Sequence, residues 1–274
     1  MQTVVHNYPE VNKSELARKL GVSRAMFYYT HKQPAIDEEV KRQIESVLTD
    51  HKAYGHKRIA GELKLNKKRI LRVMKKFGIK PYRRRVKKFI KKDDLNKPAT
   101  SFKNEIEKFC PIIPNIVWVT DFTYLKYQGK FIYLAVVMDL CTREIIGINI
   151  SRYHNKQLVL GAFIDALNKT GVIPKYIHSD QGSEYDSIEF VNFVESKNII
   201  ISMSRKSSPW ENGFQESFFS TFKLEIGYLN RFEEIGELIE NIYSTIYYYN
   251  NKRKHTSIKT TPVNFRNRFK KPLH

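Results

Sequence analysis

The clearest strand pattern lies in the second half of the chain, in three mostly apolar runs separated by short turns. Residues 115–127 (NIVWVTDFTYLKY), 130–140 (KFIYLAVVMDL) and 143–151 (REIIGINIS) are rich in β-branched and aromatic side chains. Short polar turns at 128–129 and 141–142 separate them. This spacing is typical of consecutive antiparallel strands. We therefore predict three strands joined by two hairpins.

After residue 151 the pattern changes to alternating helices and strands. Helical periodicity covers about 155–170, 187–197 and 233–250, and short apolar runs at 175–180 and 198–204 predict two more strands. Three consecutive strands followed by alternating helices and strands indicate an α/β fold. We expect a mixed five-stranded sheet with flanking helices.

One more helix, within residues 207–225 (SSPWENGFQESFFSTFKLE), combines an apolar stripe with a carboxylate. A serine and a proline at 208–209 favour a helix start there. At about 100° per residue, the predicted buried stripe is Phe214, Phe218 and Phe222. The opposite stripe carries Asn212, Glu216, Ser220 and Lys223. Taken alone, this stretch also fits an ordinary amphipathic helix with a solvated glutamate.

Short amphipathic helices fill the first 79 residues. The predicted helical stretches are 11–29, which holds two short helices around Gly21, then 37–50 and the hairpin 54–79. Ser14, Ser23 and Asn66 are the candidate N-caps. The spacing of the first pair is that of a helix-turn-helix, the motif that places one helix in a DNA groove.

Charge separates the chain into two parts. The 274 residues hold 48 Lys and Arg against 28 Asp and Glu, a net charge of +20. Residues 1–100 carry 26 basic and 10 acidic residues, net +16, whereas residues 101–274 carry 22 and 18, net +4. A basic arm before a nearly neutral globular part favours nucleic acid as the partner. Two cysteines and no long apolar run indicate a cytoplasmic protein without a membrane partner.

The basic residues fall into two groups. One face of the helix near 67–77 holds Lys67, Lys68, Arg69, Arg72 and Lys76. Such a run is often only a solvated face, but a single sign on one helix favours contact with the DNA backbone. The second group is Arg83, Arg84, Arg85, Lys87 and Lys88, in a segment that either follows phosphates or is a disordered basic spacer. We predict a helical DNA-binding region at 1–79, a basic linker at 80–112 and a catalytic core at 113–274.

Three acids occupy positions where an α/β sheet places functional groups. Asp121 interrupts the first strand, Asp180 follows the fourth, and Glu216 lies on the helix after the fifth. An aspartate within an apolar strand is costly unless it is paired or binds a metal. Three convergent carboxylates favour a hard cation such as Mg²⁺ or Mn²⁺, and a pair of such ions supports phosphoryl transfer. Lys223, two turns after Glu216, is placed to hold a phosphate of a DNA end.

For other polar residues near these acids, the sequence gives weaker evidence of a functional role. His178 precedes Asp180 by two residues, and a role in orienting that acid and plain packing explain it equally well. Asp139, at the end of the second strand, either caps a turn or approaches the acids, and we favour the structural role. Glu184 is expected to lie on the surface of the loop after Asp180. We assign supporting roles to His178, Gln181 and Asn212.

Three blocks of the chain together resemble a known superfamily. VWVTDFTYL, IHSDQGSEY and SMSRKSSPWENGFQESFFSTFKLE are similar to the catalytic blocks of the integrase-core superfamily, which includes retroviral integrases and bacterial insertion-sequence transposases. The 35 residues between Asp180 and Glu216, and the lysine seven residues after the glutamate, match the transposase branch. Flanking segments resemble its second-open-reading-frame product, so that the likeness covers about residues 40–265. One departure is Trp210-Glu211-Asn212-Gly213, where the family often has Tyr-Asp-Asn-Ala.

The resemblance implies an RNase H-like fold and a transposase that cleaves transposon ends and joins the 3′-hydroxyl to target DNA. It implies two Mg²⁺ (or Mn²⁺) ions on Asp121, Asp180 and Glu216, and a homo-oligomer on double-stranded DNA. No cysteines accompany His51 and His56, so we expect no zinc. A companion first-reading-frame protein stays open as a partner. Two alternatives also stay open: an RNase H-like nuclease outside transposition, and a DNA-binding repressor with an inactive core.

Overall fold

The structure is a computed structural model that describes residues 12–27, 32–83, 102–107, 111–204 and 213–270. The chain divides into two compact units between Pro81 and Tyr82, and each unit is described by itself. Within the described ranges, no helix combines the length and the apolar character needed to cross a membrane.

The first unit is helical, as predicted. Its helices are α1 (Lys13–Leu20), α2 (Lys32–Asp50), α3 (His56–Leu63) and α4 (Lys67–Lys76), with a 3-10 turn at Arg24–Phe27 after α1. Asn66 caps α4 as expected, but the side chain of Asn12, not Ser14, caps α1. Fully buried Ile44, Ile59 and Ile70 form the centre of the core between α2, α3 and α4.

The second unit is built on the predicted mixed sheet. Its strands are β1 (Val117–Tyr127), β2 (Lys130–Asp139), β3 (Ile145–Ser151), β4 (Tyr176–Ser179) and β5 (Ile200–Met203), in the order β3-β2-β1-β4-β5. The first three strands are antiparallel, while β4 and β5 run parallel to β1. Gln128 and Gly129 both have positive φ, as a two-residue hairpin turn requires.

Helices cover both faces of this sheet. They are α5 (Lys156–Thr170), α6 (Ile188–Glu195), α7 (Gly213–Ile226), α8 (Ile235–Asn251) and α9 (Pro262–Asn267). Helices α5 and α6 pack on the face that carries Trp118, whereas α7 and α8 pack on the face that carries Val119. Short 3-10 helices occur at Leu229–Arg231 and Arg268–Lys270.

Helix α7 is rotated slightly from the predicted orientation. Its buried residues are Gln215, Phe218, Phe219, Phe222 and Ile226. The prediction that Phe214 is buried was therefore wrong: this residue is 45% exposed, and the Arg143 guanidinium lies 3.6 Å from its ring centroid. Phe219 takes its place in the core. The proposed start of the helix at 208–209 lies outside the described residues.

Candidate active site

The pairing of β1 with β4 indicates that two of the three acids, Asp121 within β1 and Asp180 directly after β4, lie near each other, at a place that we call the strand edge. In the parallel pair of β1 and β4, Val119 is aligned with His178. Asp121 lies two residues further along β1, and Asp180 lies two residues after His178, directly after the end of β4. If the alignment continued past the last paired residues, strand geometry would place the two acids on neighbouring strands. Because side chains alternate along a strand, both acids start from the sheet face that carries Val119, which is the face under α7.

Each of these carboxylates is tied to the backbone beside it. The Phe122 amide donates a 2.8 Å hydrogen bond to Asp121 Oδ1, and the Gly182 amide donates a 3.0 Å bond to Asp180 Oδ1. The turn after Asp180 has little room, since a Cβ on Gly182 would lie 3.0 Å from Asp180 Oδ1 and 2.8 Å from Glu184 Oε2. A glycine is therefore needed for this turn to hold the Asp180 carboxylate where it lies.

A buried phenol lies beside the two acids. Tyr185 is completely buried, and its hydroxyl is 3.5 Å from the Thr120 hydroxyl. Burial raises the pKa of Tyr185 well above its usual value, and the negative charges of Asp121 and Asp180 raise it further. The carboxylates of Asp121 and Asp180 are thus both close enough to raise the pKa of the Tyr185 hydroxyl. The sequence analysis missed Tyr185, although an aromatic residue five positions after Asp180 in a short loop is a usable signal.

The expectation for Glu184 was wrong. Instead of lying on the surface, its side chain is only 7% exposed, and its Oε1 is 2.6 Å from His154 Nε2. The His154 ring in turn lies beside the rings of Phe122 and Tyr133, with centroids 4.9 and 5.4 Å away. The loop after Asp180 folds back onto the end of β3, and that contact between segments distant in the chain has no local sequence signal.

Glu216 is held by its neighbour in the chain. Gln215 is fully buried, and its Nε2 donates a 2.7 Å hydrogen bond to the carbonyl oxygen of Val119, two residues before Asp121. The contact fixes the first turn of α7 against β1, while Glu216 itself is exposed. The helical spacing of 215, 218, 219 and 222 could have identified Gln215 as a buried polar residue.

The three acids do not form a ready metal cluster. No group of three or more His, Cys, Asp or Glu side chains in the described part of the chain is arranged to hold a metal ion. Asp121 and Asp180 share one strand edge, and Glu216 lies on the helix that covers the same sheet face. Their convergence on a metal ion therefore stays a prediction.

The remaining candidates near the acids have varied surroundings. His178 is buried, and its Nδ1 is 2.9 Å from the hydroxyl of Ser202, so this residue is hydrogen-bonded to β5, and its role in supporting Asp180 stays a prediction. Asp139 caps the β2–β3 turn by accepting hydrogen bonds from the amide and hydroxyl of Thr142. Gln181 lines a cavity of about 350 Å³ next to Phe102 and Met203. Asn212 lies outside the described residues.

Two of the basic residues on α4 form ion pairs with an aspartate of the same unit. Arg72 and Lys76 both bind Asp37, which is buried in α2, with N–O distances of 2.5 and 2.9 Å. Hydrogen bonds from Arg72 and Lys76 hold the pKa of Asp37 far below its usual range. Lys67 and Lys68 are exposed at the start of α4. Of the linker cations, Arg83 is described and its guanidinium donates to the Tyr82 carbonyl, whereas Arg84, Arg85, Lys87 and Lys88 lie outside the described residues.

Comparisons with known proteins identify the family of this chain. A family model described as "Integrase core domain" matches residues 112–209, and a second model with the same description matches residues 197–262. The putative transposase InsK for insertion sequence element IS150 of Escherichia coli (strain K12) is 30% identical over 273 residues, which is 92% of this chain and 93% of the relative. The chain belongs to the insertion-sequence transposases with an integrase core.

Other relatives place the transposase in the same group. The transposase for insertion sequence element IS904 of Lactococcus lactis is 34% identical over 238 residues, covering 83% of this chain and 92% of the relative. Among solved structures, the simian T-cell lymphotropic virus intasome in complex with PP2A regulatory subunit B56 gamma matches 82% of this chain and 74% of that chain, with a TM-score of 0.51 and 15% identity. This likeness shows the fold, which is RNase H-like.

Proposed function

We propose that this transposase cleaves the ends of its element and joins the freed 3′-hydroxyl to target DNA, with Asp121, Asp180 and Glu216 as the catalytic acids. The observation that supports the proposal is the parallel pairing of Val119 with His178, because Asp121 and Asp180 each follow two residues after this pair and the helix that bears Glu216 packs on the same sheet. Membership of the transposase family supports the choice of DNA as substrate.

The three acids fit Mg²⁺ or Mn²⁺, because the donor set is all carboxylate and hard divalent cations prefer oxygen ligands. The Asp121 and Asp180 charges that meet at Tyr185 support the same choice, since a cation would offset their repulsion. When bound, two such ions would activate a water or a 3′-hydroxyl and stabilise the leaving oxygen. We propose no role for zinc.

The protein itself would orient the acids and bind the DNA phosphate. Asp121 and Asp180 are held by backbone amides, so their carboxylates keep a fixed direction at the strand edge. Lys223 lies on the same helix as Glu216 and would neutralise a phosphate of the DNA end. In the proposed sequence, water first breaks the phosphodiester at the element's end. The new 3′-hydroxyl then attacks a target phosphate, without a covalent enzyme intermediate.

The helical unit would hold the element's ends. We propose residues 1–79 as the DNA-binding region, 80–112 as the basic linker and 113–274 as the catalytic core. The exposed Lys67 and Lys68 support contact of α4 with phosphates, and Arg72 and Lys76 would add to it from their place beside Asp37. We also propose that the transposase acts as a homo-oligomer on paired ends.

Nicking of supercoiled plasmid with Mn²⁺ tests the catalytic assignment without knowledge of the true ends. The transposase should nick the plasmid, and Glu216→Gln should abolish nicking while DNA binding persists. Glu240→Gln, which removes an exposed glutamate from α8, is the matched control and should nick normally. Equal nicking by the unaltered protein and Glu216→Gln would refute the assignment.

A further inference from the structure

The loop after Asp180 is connected to β1 through His154. Glu184 of this loop is nearly buried, and its Oε1 is 2.6 Å from His154 Nε2. The His154 ring lies beside the ring of Phe122 in β1, with centroids 4.9 Å apart. Phe122 is the residue directly after Asp121. His154 therefore contacts both the loop that follows one acid and the strand that bears the other.

A second contact between this loop and β1 is weaker. Tyr185 is completely buried, and its hydroxyl lies 3.5 Å from that of Thr120, the residue before Asp121. Two hydroxyls 3.5 Å apart are beyond the usual range of a hydrogen bond, whereas a bond of 2.6 Å to a carboxylate is short and strong. Of these two contacts, the one between Glu184 and His154 is therefore the stronger.

Glu184 also lies close to the carboxylate of Asp180. A Cβ on Gly182 would be 2.8 Å from Glu184 Oε2 and 3.0 Å from Asp180 Oδ1, so both oxygens border the same small space. The Gly182 amide donates its hydrogen bond to Asp180 Oδ1. Because a buried carboxylate needs hydrogen-bond donors, Glu184 without His154 would compete for this amide. The contact with His154 therefore protects the bond that holds Asp180.

An exposed ion pair joins the same two parts of the chain. Lys156 Nζ lies 2.6 Å from Glu189 Oε2, and these side chains are 45% and 44% exposed. Exposed ion pairs contribute little to stability, whereas a nearly buried carboxylate loses much more when its partner is removed. The pair of Lys156 and Glu189 thus provides a matched control for the contact between His154 and Glu184.

We propose that His154 and Glu184 are positioning residues for Asp180: their contact fixes the loop so that the Asp180 carboxylate binds the divalent cation together with Asp121. The inference rests on the proposed function, and it adds two residues to the three acids. Neither of the two is proposed as a ligand of the cation. Loss of their contact should weaken cation binding about tenfold, the lower end of the effect of residues that orient metal ligands.

The test measures Mn²⁺ binding by the full chain without DNA, from the electron paramagnetic resonance signal of free Mn²⁺. Asp180→Asn is the reference, because it removes a proposed ligand and should weaken binding most. His154→Phe keeps a ring beside Phe122 but removes the donor to Glu184, so affinity should fall about tenfold. Charge cannot explain such a fall, since a histidine is either neutral or positive and its loss would not repel a cation.

His154→Gln is the rescue variant. Its side-chain amide can still donate to Glu184, so it should bind Mn²⁺ nearly as well as the unaltered protein. Lys156→Gln breaks only the exposed ion pair and should leave Mn²⁺ binding unchanged. The Mn²⁺ concentration that gives half-maximal plasmid nicking should rise for His154→Phe and stay near normal for the other two.

Three results would overturn the inference. The first is unchanged or tighter Mn²⁺ binding by His154→Phe, even with a lower thermal midpoint, because the contact would then be structural only. The second is an equal loss in His154→Gln, which would assign the effect to the ring. The third is an equal loss in Lys156→Gln, which would mean that any loosening of these segments has the same effect.

The binding series separates this inference from the proposed function. If the protein binds Mn²⁺ through Asp180 but does not nick plasmid, the proposed function fails, and the His154 variants still decide the positioning role. If the protein nicks plasmid normally and His154→Phe binds Mn²⁺ like the unaltered protein, only the positioning role fails.

Discussion

The strand edge of Asp121 and Asp180 and the helix of Glu216 are built in different ways. At the strand edge, backbone pairing fixes both acids, because two parallel strands set their spacing and backbone amides hold their carboxylates. On α7, one buried side-chain amide and a set of phenylalanines fix the position of Glu216. The first arrangement tolerates many side-chain changes, whereas the second depends on particular side chains.

The same difference predicts how each region fails. The backbone around Asp121 and Asp180 is held by strand pairing and has little freedom to move. A side chain that clashes there must therefore displace one of the carboxylates. A helix packed on a sheet can shift as a body, and a change in its contacts moves every residue on it by a smaller amount. Substitutions in the two regions should therefore separate loss of activity from loss of stability.

The largest effect is expected at the turn after Asp180. Gly182→Ala places a Cβ 3.0 Å from Asp180 Oδ1 and 2.8 Å from Glu184 Oε2, so one of the two carboxylates must move. A displacement of about 1 Å at a catalytic group costs about 100-fold in rate, and the 3.0 Å contact requires Asp180 to move by only part of that distance. Plasmid nicking with Mn²⁺ should therefore fall by more than about tenfold but less than about 100-fold, while the thermal midpoint changes little.

Gly236→Ala is the matched control for this substitution. Gly236 is exposed on α8, and a Cβ there would meet nothing within 4 Å, so nicking should be unchanged. If Gly182→Ala nicked at the normal rate, the turn would have to accommodate a side chain without moving Asp180, and the strand edge would be less rigid than the contacts imply.

A smaller effect is expected where the helix meets the strand. Gln215→Met keeps the volume but removes the 2.7 Å hydrogen bond to the Val119 carbonyl. The free energy of unfolding should fall by about 1 kcal/mol, and nicking should fall about tenfold as α7 shifts Glu216. Chemical denaturation and the nicking assay measure the two effects on the same sample.

Gln157→Met removes an exposed glutamine from α5 and serves as the control. A loss of stability without any loss of nicking in Gln215→Met would show that Glu216 keeps its place without the amide. That result would favour the phenylalanines alone as the anchor of α7.

The five strands and the hairpins between the first three were accessible from the sequence because runs of strand-forming residues and turn residues are local signals. Asp121 and Asp180 could be singled out since each interrupts or ends an apolar strand, and β-strand geometry then determines where their side chains start. The turn at Gln128 and Gly129 was accessible for the same reason, because only certain residues adopt positive φ readily.

The rotation of α7 was harder to predict from the sequence. Phe214, Phe218 and Phe219 all fit a helical apolar stripe within one turn's tolerance, and packing against Val119 and Tyr249 decides which of them is buried. The burial of Glu184 depends on His154, thirty positions earlier in the chain. Such contacts between distant segments carry no periodicity, so no local pattern predicts them.

The last prediction uses two buried phenols as reporters: Tyr185 beside the acids, and Tyr249 of α8, whose ring packs against Phe218 of α7. Replacing either tyrosine with phenylalanine is not expected to affect nicking at neutral pH. Burial raises the pKa of both Tyr185 and Tyr249; the charges of Asp121 and Asp180 raise that of Tyr185 further, whereas Arg253 and Arg143 lower that of Tyr249. The unfolded chain releases these protons near pH 10, but the folded chain keeps them. The free energy of unfolding should therefore fall as pH rises above about 10, by up to ~1.4 kcal/mol per pH unit for each phenol.

Tyr185→Phe and Tyr249→Phe should each remove one phenol's share of that slope, measured by chemical denaturation between neutral and alkaline pH in EDTA. Tyr243→Phe replaces an exposed tyrosine of α8 and should leave the slope unchanged. Asp180→Asn should lower the pKa of Tyr185 and leave that of Tyr249 unaltered, because the charges acting on Tyr249 are Arg253 and Arg143. An equal response of both phenols to Asp180→Asn would mean that the substitution loosens the whole sheet, and the contrast between a rigid strand edge and an adjustable helix would then fail.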